Sequence, residues 1–183
     1  MKVRIVSLVA AAVGREDAGA ELVARLRERI ARVAEAVRGR PRPRVVCLEW
    51  VDPLFNAGHW VPEQVALAGG DDVLGTPGAR SRVVEWPEVV ATRPDVLCVM
   101  PCGFDAARAT RESALLRALP GWDALPAVRA GRVHPLDGNA YFSRPGPRVV
   151  DGIEILASLF HPGRSPTWGG QRPRTRSMPD SAA

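Results

Sequence analysis

The stretch Cys47-Leu48-Glu49-Trp50-Val51-Asp52-Pro53-Leu54-Phe55-Asn56-Ala57-Gly58-His59-Trp60-Val61-Pro62-Glu63 decides how this chain is read. It opens as the end of an apolar run, Arg44-Val45-Val46-Cys47-Leu48, and then becomes dense in aromatics and turn formers. Val61-Pro62-Glu63 puts a proline at a first-turn position with an acid behind it, which predicts the start of a helix. A strand that leaves through a decorated loop into a helix is where open α/β proteins hold ligands. Plain connectors are built from Gly, Ser, Asn and Asp. Two tryptophans, a phenylalanine and a histidine are costly for such a connector.

Residues 44–50 read as a core strand. Its Val45-Val46-Cys47-Leu48 centre does not alternate, as expected of a parallel strand covered on both faces. Upstream, residues 17–38 carry Leu22, Val23, Leu26, Ile30, Val33 and Val37 on one helical stripe. Glu21–Arg25 and Glu28–Arg32 pair at i,i+4 on the other side. Gly39 ends that helix, with Pro41 and Pro43 beyond. At 1.5 Å per residue it is roughly 33 Å long, the length of a brace. Downstream, helices are expected over residues 61–68, 85–91, 106–119 (capped by Asp105) and 148–160. Residues 71–82 read as a loop. Core strands are expected at 95–100 and 132–134. Strands alternating with helices predict an α/β three-layer sandwich with a mainly parallel sheet.

The two ends are read separately. Residues 3–9 read as a buried strand. The competing reading is a short signal peptide, with Ala18-Gly19-Ala20 as cleavage site and the charged Arg15-Glu16-Asp17 standing against it. From Pro162 onward the composition predicts a disordered tail. The resulting division is a strand remnant at 1–13, a long helix at 14–40, an α/β lobe at 41–161 and a tail at 162–183.

With 183 residues the chain can bury one domain-sized core. The formal net charge is +5. Arg164, Arg172, Arg174 and Arg176 against Asp180 concentrate +3 of it after Pro162, leaving about +2 on the body. That argues against a nucleic-acid partner. No apolar run reaches the ~20 residues of a membrane-spanning helix. Three cysteines, Cys47, Cys98 and Cys102, form no CxxC pair. The first two sit in apolar runs and read as buried small hydrophobes rather than as a disulfide framework.

In a parallel sheet the exit loops of successive strands share one edge. Here that edge gathers Trp50, Phe55, His59, Trp60, Phe104, Tyr141 and Phe142, with Asp52, Asp105 and Arg144 as its few charges. Such a rim suits a flat, polarizable ligand, because aromatic faces give large contact area at low entropy cost. The bland reading is that the aromatics seal the core. His59 is a candidate metal ligand or base, though a lone histidine without Cys or carboxylate partners is usually neither. Cys102 with His59 is a candidate nucleophile pair for a cytosolic enzyme, without a Cys–His–Asn signature behind it. Glu85 and Glu88 read as first-turn acids favoured by a helix dipole. No dinucleotide, P-loop or nucleophile-elbow motif is present.

Several of these segments, in their order and spacing, resemble the cobalamin-binding substrate-binding proteins of ABC transporters. The residues concerned are residues 44–63, Gly69-Gly70-Asp71, Arg93-Pro94-Asp95-Val96, Pro101-Cys102-Gly103-Phe104, Gly131-Arg132-Val133 and Phe142-Ser143-Arg144-Pro145-Gly146-Pro147-Arg148. That branch also takes iron–siderophores and haem. The resemblance covers residues 14–162. It implies two α/β lobes joined by a long helix, with the ligand held between them. Residues 14–38 match the joining helix and residues 44–161 the C-terminal lobe. Residues 3–9 match only the opening strand of the N-terminal lobe. The rest of that lobe has no counterpart, as in a deletion product, a misread gene start or a half-protein.

By resemblance the chain is a non-enzymatic corrinoid binder with no cofactor of its own. Phe55 would face the corrin, with Trp50, His59, Trp60, Phe104, Tyr141 and Phe142 lining the half-site. Asn139 and Arg144 would meet polar groups of the ligand. His59 would approach cobalt as an axial ligand. An ABC permease is the implied protein partner, docked through a surface glutamate at the start of the helix before Pro94. The matching position holds Pro87, with Glu85 and Glu88 adjacent. Haem or a siderophore is the alternative ligand. The family's role is extracytoplasmic, while the weak signal peptide leaves a cytoplasmic location open.

Overall fold

The computed structural model describes residues 4–163. It is an α/β fold with an open, mainly parallel sheet between helical layers. Helices α1 (Arg4–Ala12) and α2 (Glu16–Val37) come first, followed by strand β1 (Arg44–Val51). Then come β2 (Leu54–Asn56), α3 (Val61–Leu67), β3 (Asp71–Asp72), α4 (Trp86–Thr92) and β4 (Val96–Val99). The chain closes with α5 (Ala106–Ser113), α6 (Pro126–Arg129), β5 (Val133–Pro135), α7 (Gly138–Tyr141) and α8 (Val149–Phe160).

The sheet order is β2-β1-β4-β5, with β3 also pairing β1. β1, β4 and β5 run parallel, and β2 folds back antiparallel on β1. The non-alternating apolar runs serve two cores. Val45, Cys47, Val96, Cys98 and Met100 face one side, with Val33, Val65, Ile153 and Leu156. Val46, Leu48, Leu97 and Val99 face the other, with Trp86, Val89, Leu116 and Trp122. Both faces are covered, which is why these strands lack a polar period.

α2 lies where its apolar stripe requires. Val23, Leu26 and Val33 are buried, and the helix packs on α8. Arg29 fixes that contact. Its Nε donates to Glu154 Oε1 at 2.9 Å, and its Nη2 donates to Glu154 Oε2 and Asp151 Oδ1, both at 2.6 Å. The two carboxylates hold the guanidinium above its ordinary pKa.

The expectation of a strand at residues 3–9 is corrected, because Arg4–Ala12 is a helix. These residues join no edge of the sheet and contact α2 instead. Backbone groups left without a ladder satisfy themselves internally as a helix. α1 packs instead on α2, so closely that a Cβ on Gly19 would lie 2.3 Å from Ala10 Cβ. Ala18-Gly19-Ala20 accordingly sits inside α2. α1 leaves Leu8 and Val9 exposed, and Val13 in the turn after it is exposed too. The expected tail from residue 164 onward lies outside the described residues. No described helix is long and apolar enough to cross a membrane.

Candidate functional site

Two features missed in the sequence shape the edge at the C-terminal ends of β1, β4 and β5. The first is β2. β1 turns at Asp52–Pro53, whose peptide is cis, and returns as Leu54–Asn56. A register shift between Leu48 and Trp50 makes Trp50 the direct partner of Phe55. These two aromatics are therefore a cross-strand pair at the sheet's rim. The second feature is α7, one turn within the β5 exit segment, capped by Asp137 Oδ1 accepting from Ala140 N at 2.7 Å.

Hydrogen bonds hold the exit loops against one another. Cys102 N donates to Glu49 O at 3.1 Å, and Gly58 N donates to a Glu49 carboxylate oxygen at 3.4 Å. Asn139 N donates to Phe104 O at 3.1 Å. A Cβ on Gly138 would meet Pro101 O at 2.2 Å, and one on Gly58 would meet Ser81 N at 2.2 Å. Glycine is required at both positions for loops to pass this closely.

The residues predicted from sequence fall into two groups. In the first, Trp50 and Phe104 rings lie 5.1 Å apart, and Arg108 places its guanidinium carbon 3.6 Å from the Phe104 centroid. Half-buried Phe55 adjoins Trp50. Arg108 escapes a reading by motif. Its signal is its place on the first turn of the helix that leaves Phe104, where i+4 spacing brings the two together. Such a stack keeps a cation beside an apolar face.

In the second group, His59 and Trp60 rings lie 5.8 Å apart and Tyr141 and Phe142 rings 6.4 Å apart. Trp60 Nε1 donates to Phe142 O at 2.9 Å, which ties the two loops. Phe142 is 3% exposed and belongs to the core, so the sealing reading describes it. Trp60 and Tyr141 are half-buried against the same core. Exposed Asn139 and Arg144 are joined by Arg144 Nε donating to Asn139 Oδ1 at 3.4 Å.

His59 is exposed with a left-handed backbone, φ +57°. Its N–H donates to Ala79 O at 2.6 Å, and its carbonyl accepts from Gly78 N at 2.8 Å. For a non-glycine residue this conformation costs of order 1 kcal/mol and is held by its surroundings. Among the described residues no group of three or more His, Cys, Asp or Glu is placed to hold a metal ion. Cys102 is exposed, and no hydrogen bond joins it to His59 among the described residues.

Glu85 and Glu88 lie at the start of α4, on the other helical layer. Glu88 accepts from Glu85 N and pairs with Arg82 Nη2, both at 2.9 Å. The pairing with Arg82, then the backbone bond, lowers the pKa of Glu88.

A family model described as "Periplasmic binding protein" matches residues 3–140. No curated protein matches the chain in sequence. Among solved structures, an ABC transporter substrate-binding protein from Listeria monocytogenes EGD-e superposes with TM-score 0.76 at 18% identity. The alignment covers 87% of this chain and 63% of that one. An ABC-type Fe3+-hydroxamate transport system from Saccharomonospora viridis DSM 43017 gives TM-score 0.73 at 28% identity, over 86% of this chain and 54% of that one. A periplasmic heme-binding protein from Roseiflexus sp. RS-1 gives TM-score 0.70 at 27% identity, over 86% and 61%. The chain thus spans between about half and two thirds of the length of these solved proteins. With three quarters of its residues matched by the family model and its lobe superposed on such proteins, this chain belongs to the periplasmic binding protein family.

Proposed function

We propose that the chain is a ligand-binding lobe of an ABC-importer substrate-binding protein, and that it takes an iron-centred ligand of the haem or ferric-siderophore class. The observation that carries this reading is the 27–28% identity, over 86% of the chain, to proteins described as heme-binding and as an Fe3+-hydroxamate transport system. The aromatic edge agrees with it. Trp50 and Phe55 present ring surface to a flat or greasy ligand, with buried Phe104 packed behind Trp50 and under Arg108, and His59, Trp60 and Tyr141 flank the neighbouring loop. Arg108, Arg144 and Asn139 offer donors to its polar or anionic groups. A corrinoid, the ligand first read from the motif order, uses the same kind of surface. The closer named relatives favour iron ligands over it.

The role is non-enzymatic and rests on binding alone. Phe142 contributes by fixing the loop rather than by touching ligand. His59, exposed on the Gly58–Trp60 loop, would serve as axial ligand to a metal centre in the ligand, cobalt included. Glu85 and Glu88, reciprocally tied in the α4 capping box, would supply the carboxylates for permease docking. The test is a titration of the full chain with haem, a ferric trihydroxamate and cyanocobalamin, followed by visible absorption and tryptophan fluorescence. Binding of haem or the ferric chelate at micromolar Kd, about −8 kcal/mol, supports the reading. Binding of cyanocobalamin alone restores the corrinoid assignment. Binding of none of the three refutes a self-sufficient lobe.

A further inference from the structure

Two of the three thiols, both outside the binding edge, lie side by side in the sheet. Cys47 on β1 and Cys98 on β4 are direct Cα partners in the parallel ladder. They belong to the same core face and are 1% and 0% exposed. In-register residues on neighbouring strands project to the same side of a sheet, and strands lie about 4.8 Å apart. That spacing falls inside the roughly 4.4–6.8 Å Cα separation that a disulfide bridges. The Cys98 side chain beside it, followed by burial, pushes the Cys47 thiol well above the ordinary thiol range. Cys102 is exposed in the turn after β4.

We propose that Cys47 and Cys98 are a site of covalent modification, a cross-strand disulfide that joins β1 to β4 when the chain folds in the presence of a disulfide oxidant. One thiolate attacks a sulfur of the oxidant, forming a mixed disulfide and releasing one oxidant thiol. The second protein thiolate then displaces the other oxidant thiol and closes the Cys47–Cys98 bond. Two S–H bonds of the protein and the oxidant's S–S bond are lost. One protein S–S bond is gained, and both hydrogens leave on the two released thiols. The folded pair is shut away from water, so the exchange runs while the sheet forms or opens. The folded register then selects the partner. In a reducing compartment the pair stays as two thiols that fill the core as small hydrophobes. Oxidised, it staples the two central strands and closes a loop of about 50 residues, which restricts the unfolded chain.

The test uses the unmodified full chain. It is unfolded in urea with reductant, refolded in a glutathione buffer containing the oxidised form, unfolded again in urea containing iodoacetamide so that buried thiols are alkylated too, and mapped by peptide mass. We expect a Cys47–Cys98 peptide, a mass about 2 Da below that of the reduced chain before alkylation, and a single carbamidomethyl group on Cys102. The urea midpoint of this material falls when reductant is added. A folded product with all three thiols alkylated overturns the proposal, as does one whose linkages are spread over Cys102. Failure to refold is covered by a second preparation, secreted into a bacterial periplasm and alkylated at harvest, judged by the same peptides.

Discussion

Replacing Arg29 with Met tests whether the long helix α2 is bound to the lobe by chemistry or by apolar packing alone. Methionine keeps most of the stem volume and removes the guanidinium. Glu154, 7% exposed, then loses the partner of both carboxylate oxygens. Asp151 lies one turn away on the same helix, so two carboxylates are left facing each other without a cation. Removing one member of a buried pair costs about 3–5 kcal/mol. The Arg29 side chain is 28% exposed, so solvent screens part of this, and the lower end, about 3 kcal/mol, is expected. That is roughly a 150-fold fall in the folding equilibrium constant. Urea denaturation followed by far-UV circular dichroism measures it. Exchanging both partners, Arg29→Met with Glu154→Leu, removes the stranded charge and should recover most of the loss. A loss below about 1 kcal/mol for the single variant would refute the reasoning, as would a double variant no better than the single one.

Other predictions follow from the loops and the histidines. His134 is pushed down from 6.5 to about 4 by burial, aided by the nearby Arg132 charge. Its folded pKa lies below its unfolded one, so the stability it adds is fully present above about pH 6.5. That stability, about 2 kcal/mol after allowance for partial exposure, drains away as pH falls toward 4. Denaturation midpoints should therefore fall across that window, and His134→Gln should flatten the slope. Gly138→Ala drives a methyl group into Pro101 O and should cost about 2 kcal/mol. It should also weaken ligand binding, read by thermal melting and by titration. Trp60→Phe strands the Phe142 carbonyl and should cost about 1–2 kcal/mol by urea denaturation.

The fold was legible where one physical signal dominated. The Val45–Leu48 and Val96–Val99 runs identify doubly covered parallel strands, and both are such strands. The stripe from Leu22 to Val33 marks α2, and its buried positions face the core. Reading failed where tertiary partners decide. Residues 4–12 are apolar enough for a strand, but α2 offers them a helix face rather than a sheet edge. β2 is three residues long and owes its conformation to β1, so no local period betrays it. At the candidate site, the gathering of the exit loops on one edge was readable from parallel topology. Burial of individual rings was not. Phe142 and exposed Asn139 lie three residues apart, and only the turn of α7 decides which faces inward. Arg108 escaped notice because its partner, Phe104, is set by helical spacing rather than by a motif.

The most direct test of the central claim is hydrogen exchange of the full chain with and without saturating haem, read by mass spectrometry at peptide resolution. The account predicts slowed exchange in the segments around Trp50–Trp60, Cys102–Phe104 and Asn139–Arg144, with the far ends of β1 and β4 unchanged. Protection confined to the exposed face of α1, or to the opposite end of the sheet, would contradict it.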